Sequence, residues 1–174
     1  MTSTPRLPKI PRSVLVVIHT PALDVLLMER ADRPGLWQSV TGSLDAEDEA
    51  LDTTARREVL EETGINIGIN IGINTSTLRN WGLTNVYEIF PAWRHRYAAG
   101  VTHNTECVYG LTVPAGTPVT LAPREHLQYL WLPWQEAAKR CFSPSNAQAI
   151  LRLPQYVGSV PASPAPPASP ASPA

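Results

Sequence analysis

Between Arg56 and Ile65 the chain reads Arg-Arg-Glu-Val-Leu-Glu-Glu-Thr-Gly-Ile, three glutamates within five positions of a segment rich in helix formers and closed by a glycine. That stretch constrains the architecture most. From about Glu47 to Thr63 the residues favour an α-helix, Leu51, Ala55, Val59 and Leu60 approximate one apolar stripe, and Gly64 stands where a left-handed C-terminal residue ends a helix. On such a helix Glu58 and Glu62 are four apart and Glu61 is three beyond Glu58, so all three project toward neighbouring parts of one face. Like charges at that spacing cost an isolated helix roughly 0.2–0.5 kcal/mol per pair. Two readings follow: a solvated acidic face partly neutralised by Arg56 and Arg57, or a cation site. Hard oxygen donors without a nearby histidine or thiol suit Mg2+, or Mn2+, which bridge carboxylates to substrate phosphates. Such ions neutralise a phosphate chain and acidify an attacking water while a spare carboxylate takes its proton, which is the chemistry of phosphoanhydride hydrolysis.

The segments around this helix predict a sheet. Ser13 to His19 is a continuous β-branched run suited to a strand buried on both faces, and Val25 to Glu29 pairs with it across the turn Thr20-Pro-Ala-Leu-Asp24. Further short strands are expected at Trp37 to Thr41, Val86 to Phe90, Thr105 to Val113 and Leu127 to Leu132. Two helices follow, Trp134 to Cys141 and one capped by Ser143, with Pro144 at its first position, running to about Leu153. The repeat Gly64-Ile-Asn-Ile-Gly-Ile-Asn-Ile-Gly-Ile-Asn74 is too short a unit for a solenoid, and its alternating isoleucines are expected to extend a strand after the helix.

Composition narrows the function. With 174 residues, 43% of them apolar, the chain has the size of one globular domain. A net charge of −1 supplies no overall positive field for nucleic acid or anionic membrane. Cys107 and Cys141 lack C-x-x-C spacing, and the aliphatic run Val14 to Ile18 is too short to span a bilayer. A cytoplasmic protein without membrane or nucleic-acid partners is expected, as a monomer or homodimer. Residues 158–174 hold six prolines among Ala and Ser, with no charge and no aromatic, and are expected to be a disordered tail to a domain spanning residues 1–157.

The glutamate segment resembles the Nudix box: Gly, five residues, Glu, seven residues, then Arg-Glu-apolar-x-Glu-Glu-x-Gly-apolar. Arg57 to Ile65 fits the second half completely, and the required seven residues separate Glu49 from Arg57, but six instead of five separate it from Gly42. The box therefore carries one extra residue, which a loop before the helix can absorb. The resemblance implies a Nudix α/β/α sandwich with a mixed β-sheet, and Glu58 and Glu62 as principal metal ligands. It makes Glu61 a ligand or general base, Glu49 an accessory carboxylate, and Arg57 a group that orients them.

Much of the remaining chain is similar to the branch of that family that cleaves dihydroneopterin triphosphate to the monophosphate and pyrophosphate in folate biosynthesis. Similar segments are residues 9–18, 27–44, 86–97, 100–106, 125–132 and 145–150. This likeness implies substrate contacts from Lys9, Arg30 and Thr41, a pterin pocket along Tyr87, Glu88, Ile89 and Phe90, and a third metal ligand or base in Glu125. His126 and Ser143 are weaker substrate candidates. Arg94-His95-Arg96 either steers an anionic substrate or guards a strand edge. The rival functions are a Nudix enzyme acting on nucleoside triphosphates or other nucleoside diphosphate derivatives, and a non-catalytic ligand sensor.

Overall fold

A strand with apolar residues at successive positions has no polar side to give to water, so it belongs inside a sheet covered on both faces. The computed structural model of the protein, which describes residues 7–70 and 72–157, puts β1 (Arg12–His19) in that position. Seven strands form one mixed sheet. β2 (Asp24–Arg30) flanks β1 and carries β3 (Trp37–Gln38) and β7 (His126–Pro133); β4 (Val40–Ser43) pairs antiparallel with the first half of β1. On the other side β6 (His103–Thr112) runs parallel to β1, and β5 (Leu78–Glu88) closes the sheet.

Alternation along β1 sends Val14, Val16 and Ile18 to one core and Leu15 and Val17 to the other. Helix α1 (Leu51–Thr63) covers the first through Ala55 and Val59. Helices α2 (Trp134–Arg140) and α3 (Pro144–Val157) cover the second through Ala137, Ile150 and Leu153. This is the expected α/β/α sandwich around a mixed sheet.

Several boundaries differ for local reasons. Helix α1 starts at Leu51 rather than near Glu47, and Leu60 is 43% exposed because it lies one residue, about 100° of helix, beyond the buried Val59. The segment Trp37 to Thr41 is split at Ser39, whose N–H donates to Asn146 Oδ1 (2.8 Å) in place of a ladder bond. Strand β5 begins eight residues earlier than the apolar run at Val86, so Ile89 and Phe90 lie past its end and lead into a 3-10 turn at Pro91–Arg96.

The described residues of the isoleucine repeat form no strand. Gly68 and Gly72 take positive φ (95° and 78°), and the Asn66 N–H donates to Asn70 Oδ1, so the Asn and Gly positions curl the chain while Ile65 and Ile73 anchor its two ends in the core. Helix α3 continues past Leu153 to Val157. The tail expected over 158–174 lies outside the described residues. Among those residues no helix is long and apolar enough to cross a membrane.

Candidate active site

Packing Ala55 and Val59 against the sheet fixes the rotation of α1, and that rotation carries Glu58 and Glu62 inward, 9% and 3% exposed. Glu58 lies directly across Gly42 of β4. A Cβ there would stand 1.8 Å from Glu58 Cδ, so the position admits only a hydrogen. One turn further along α1's inner face, Glu62 Oε2 is 3.0 Å from His126 Nε2 at the start of β7. One ligand atom from each of Glu62, Glu125 and His126 falls within 4.8 Å of the others.

Arg57 binds the surrounding acids. Its Nη1 donates to Glu58 Oε1 (2.7 Å), its Nε to Glu49 Oε1 (3.1 Å), and its Nη2 to the Ser43 carbonyl (3.0 Å). The contact with Arg57 is the main reason that the Glu49 carboxyl is held below its ordinary value. Glu61 sits off the buried pair, exposed and 3.6 Å from Arg57 Nη1. The extra residue of the box falls in the loop between β4 and α1, and Glu58 and Glu62 still converge.

Without a cation this arrangement is electrostatically poor. Burial first, then the neighbouring Glu62, push the Glu58 carboxyl up to about 8 against the pull of Arg57. Burial likewise raises Glu62, with His126 opposing. Hard carboxylate oxygens, desolvated and mutually repelling, fit a divalent cation, which is what relieves both penalties.

A cavity of about 330 Å³ adjoins this cluster, reaching from Lys9 and Gly42 to Asn104 and the start of α3. Lys9 links the two regions. Its ammonium is lowered chiefly by desolvation and pulled back up by Glu58, Glu125 and Glu62. Of the residues expected to contact substrate, Lys9, Arg30, Thr41, Tyr87, Glu88, Ile89, Phe90 and Ser143 all line the cavity. Arg30 is held by Asp32 and by Gln38 Oε1 (2.8 Å), and its guanidinium lies 4.6 Å from the centre of the Trp93 ring. Ser143 meets Ser145 Oγ at 3.0 Å.

His126 is not among the residues that line the cavity; its Nε2 lies 3.0 Å from Glu62 Oε2. The basic cluster is divided. Arg94 is paired with Glu88, whereas Arg96 reaches Asp32 (3.2 Å) and the cavity.

Sequence reasoning missed Trp93, Phe142, Ser13 and Asn104. Phe90, Trp93 and Phe142 form an aromatic group on one side of the cavity, with ring centres 5.2–6.1 Å apart. Their spacing in the chain carries no periodic signal, although Trp93 stands just beyond the predicted pocket segment.

Residues 9–153 match the model of the NUDIX domain. The chain belongs to the Nudix family. Nudix hydrolases depend on divalent metal, in keeping with the acidic group found here. The dihydroneopterin triphosphate diphosphatase of Escherichia coli K12 is 43% identical over 143 residues, 82% of this chain and 91% of that protein. Its namesake from Haemophilus influenzae is 36% identical over 140 residues, covering 80% and 84%. The solved structure of the E. coli dihydroneopterin triphosphate pyrophosphohydrolase superposes with a TM-score of 0.75 at 40% identity, over 89% of this Nudix chain and all of that one.

Proposed function

We propose that residues 1–157 form a Nudix pyrophosphohydrolase that cleaves dihydroneopterin triphosphate to dihydroneopterin monophosphate and pyrophosphate, a step of folate biosynthesis, with Mg2+ as the cation. The observation that carries this reading is the continuity of the two half-sites. One wall of the cavity is Gly42, on which Glu58 rests, and the same cavity continues to Tyr87 and Phe90. A polyphosphate attached to a flat ring needs that combination. The likeness to the E. coli and H. influenzae diphosphatases supports the choice of ring.

Glu58, Glu62 and Glu125 would hold a divalent cation, which would neutralise charge on the phosphate chain and lower the pKa of water. The chain's own groups do the rest. Lys9 and Arg30 grip phosphate oxygens, Arg30 with its fork already oriented by Asp32 and Gln38. Arg57 holds Glu58 and Glu49 in register, and His126 holds Glu62. Glu61, exposed beside the buried pair, takes a proton from water, and Glu125, exposed beside Glu62, takes that role where Glu58 and Glu62 alone hold the cation. Phe90, Trp93 and Phe142 offer the ring an apolar surface that excludes water. Intact box carboxylates favour catalysis over sensing, and the cytoplasm is the fitting compartment.

The test is pyrophosphate release by purified protein with Mg2+, comparing dihydroneopterin triphosphate with a panel of nucleoside triphosphates. A clear preference for the pterin is expected. A strong preference for a nucleotide defeats the assignment.

A further inference from the structure

Three cationic side chains line the cavity, Lys9, Arg30 and Arg96, and among the described lining residues the sole acid is Glu88, which Arg94 already holds. Arg30 is fixed. Its Nε and Nη2 donate to the two carboxylate oxygens of Asp32 (2.8 Å each), and its Nη1 donates to Gln38 Oε1 (2.8 Å). Arg96 is held at one point only, through Nη2 to Asp32 Oδ2 (3.2 Å), and its side chain stays 38% exposed. One carboxylate thus carries two guanidiniums, one from the end of β2 and one from the 3-10 turn that follows β5.

The backbone brings the third cation alongside. The Arg96 carbonyl accepts from the Lys9 N–H (2.8 Å), and Lys9 forms a parallel bridge with Tyr97. Burial chiefly, and Arg96 after it, lower the Lys9 ammonium, with Glu58 opposing. Like charges gathered in this way repel, and a partly exposed ion pair with a single contact, such as Arg96 with Asp32, contributes little to stability. Its neighbour Arg94 is spent on Glu88 and on the Ile89 carbonyl (3.1 Å), which secures the turn without help from Arg96. What balances three cations on one wall is an anionic chain.

We propose that Arg96 is a further phosphate-binding residue, which joins Lys9 and Arg30 around the phosphate chain of the substrate, and that Asp32 is the positioning residue that sets the two guanidiniums side by side. An arginine bound at one point keeps most of its five N–H groups for a ligand, and its bonds to phosphate oxygens are charge-assisted. This deepens the proposed function and rests on its placing of a polyphosphate in the cavity, not on the choice of ring.

The experiment measures kcat and KM for dihydroneopterin triphosphate, and the inhibition constant of inorganic tripolyphosphate at fixed free Mg2+, in the wild type and in Arg96→Met, Arg96→Gln and Asp32→Asn. Tripolyphosphate carries the chain without a ring. Both Arg96 variants should raise KM and the inhibition constant about tenfold with kcat little changed, because the lost charge-assisted contact binds ground state and transition state alike. Asp32→Asn separates positioning from plain attraction. It makes the wall more positive, so attraction alone would tighten tripolyphosphate binding, whereas loss of the clamp should weaken it several-fold. Two replacements of Arg96 guard against one that fails to fold, and thermal midpoints report that failure directly. A wild type that tripolyphosphate does not inhibit, unchanged constants in the Arg96 variants, or a loss confined to kcat overturns the assignment of Arg96. An Asp32→Asn variant that binds tripolyphosphate as tightly as the wild type, or more tightly, overturns that of Asp32. If the wild type prefers a nucleotide to the pterin, the proposed function fails, while the same variants assayed with that nucleotide and tripolyphosphate still decide the role of Arg96.

Discussion

Replacing Gly42 by alanine tests whether the glycine exists to seat Glu58. The new Cβ would lie 1.8 Å from Glu58 Cδ, 2.0 Å from Oε1 and 2.3 Å from Cγ. Since heavy atoms do not approach within about 3 Å without a bond, the carboxylate must retreat by about 1 Å or swing out altogether. The main chain has no objection, because Gly42 is not among the residues of positive φ. Nor does the core, because what moves is the flexible end of a side chain. The burden falls on the site, where a displacement of that size costs about 10²-fold, or about 2.7 kcal/mol of transition-state stabilisation. The assay is Mg2+-dependent pyrophosphate release, run beside a thermal melt. We expect kcat/KM to fall about 100-fold with a midpoint close to wild type. The double variant Gly42→Ala with Glu58→Gln should be no worse than Glu58→Gln alone, because both changes remove the same group. A fully active Gly42→Ala, or losses that add in the double variant, refutes the reasoning.

Other outcomes follow from the same geometry. Glu62→Gln should abolish metal-dependent turnover while leaving far-ultraviolet circular dichroism unchanged; persistent activity would remove Glu62 from the ligand set. Because the folded chain holds a proton on Glu58 up to about pH 8 while the unfolded chain releases it near the ordinary glutamate value, the metal-free protein should lose stability as pH rises through that interval. Added Mg2+ should reverse the trend, raising the thermal midpoint more at pH 8 than at pH 5.5, since binding needs the ionised carboxylate; equal shifts at both pH values would contradict it. Gly110→Ala should destabilise by about 1–3 kcal/mol without changing KM, because its Cβ would stand 2.5 Å from the Trp81 indole, which is itself stacked on Tyr156 at 4.5 Å. Denaturant unfolding measures that loss.

The strands nearest the helix were legible because their signals are local: the unbroken run Val14 to Ile18 states burial on both faces, and the Thr20 to Asp24 segment states a turn. Spacing alone puts Glu58 and Glu62 on one helical face, since four residues apart on a helix means the same side, but it is the resemblance to the Nudix box that chooses a cation site over a solvated acidic face. What escaped depends on contacts remote in the chain. Ser39 is lifted from its ladder by Asn146, 107 residues away, so no local pattern marks the break. The repeat misled because alternating isoleucines carry strand periodicity while the intervening Asn and Gly carry turn geometry, and the left-handed glycines prevail. The contact of His126, the first residue of β7, with Glu62 joins segments 64 residues apart and leaves no local pattern. Asn104 was invisible because the hydroxyls of Ser13 and Tyr87 that hold its amide come from neighbouring strands.

Arg57 touches the Ser43 carbonyl at one end of the β4–α1 connection and Glu49 at the other, besides Glu58 itself. The intervening hairpin-like bend is thus moored at both ends to the same guanidinium, like slack rope between two cleats. Lengthening the slack leaves the cleats where they are. Asp45 is tied to that guanidinium as well (3.2 Å) and its N–H donates to Glu49 Oε2, so it is a change of length over residues 46–48 that should leave the acids in place, and the supernumerary residue of this connection is accommodated with Glu58 still bound to Arg57.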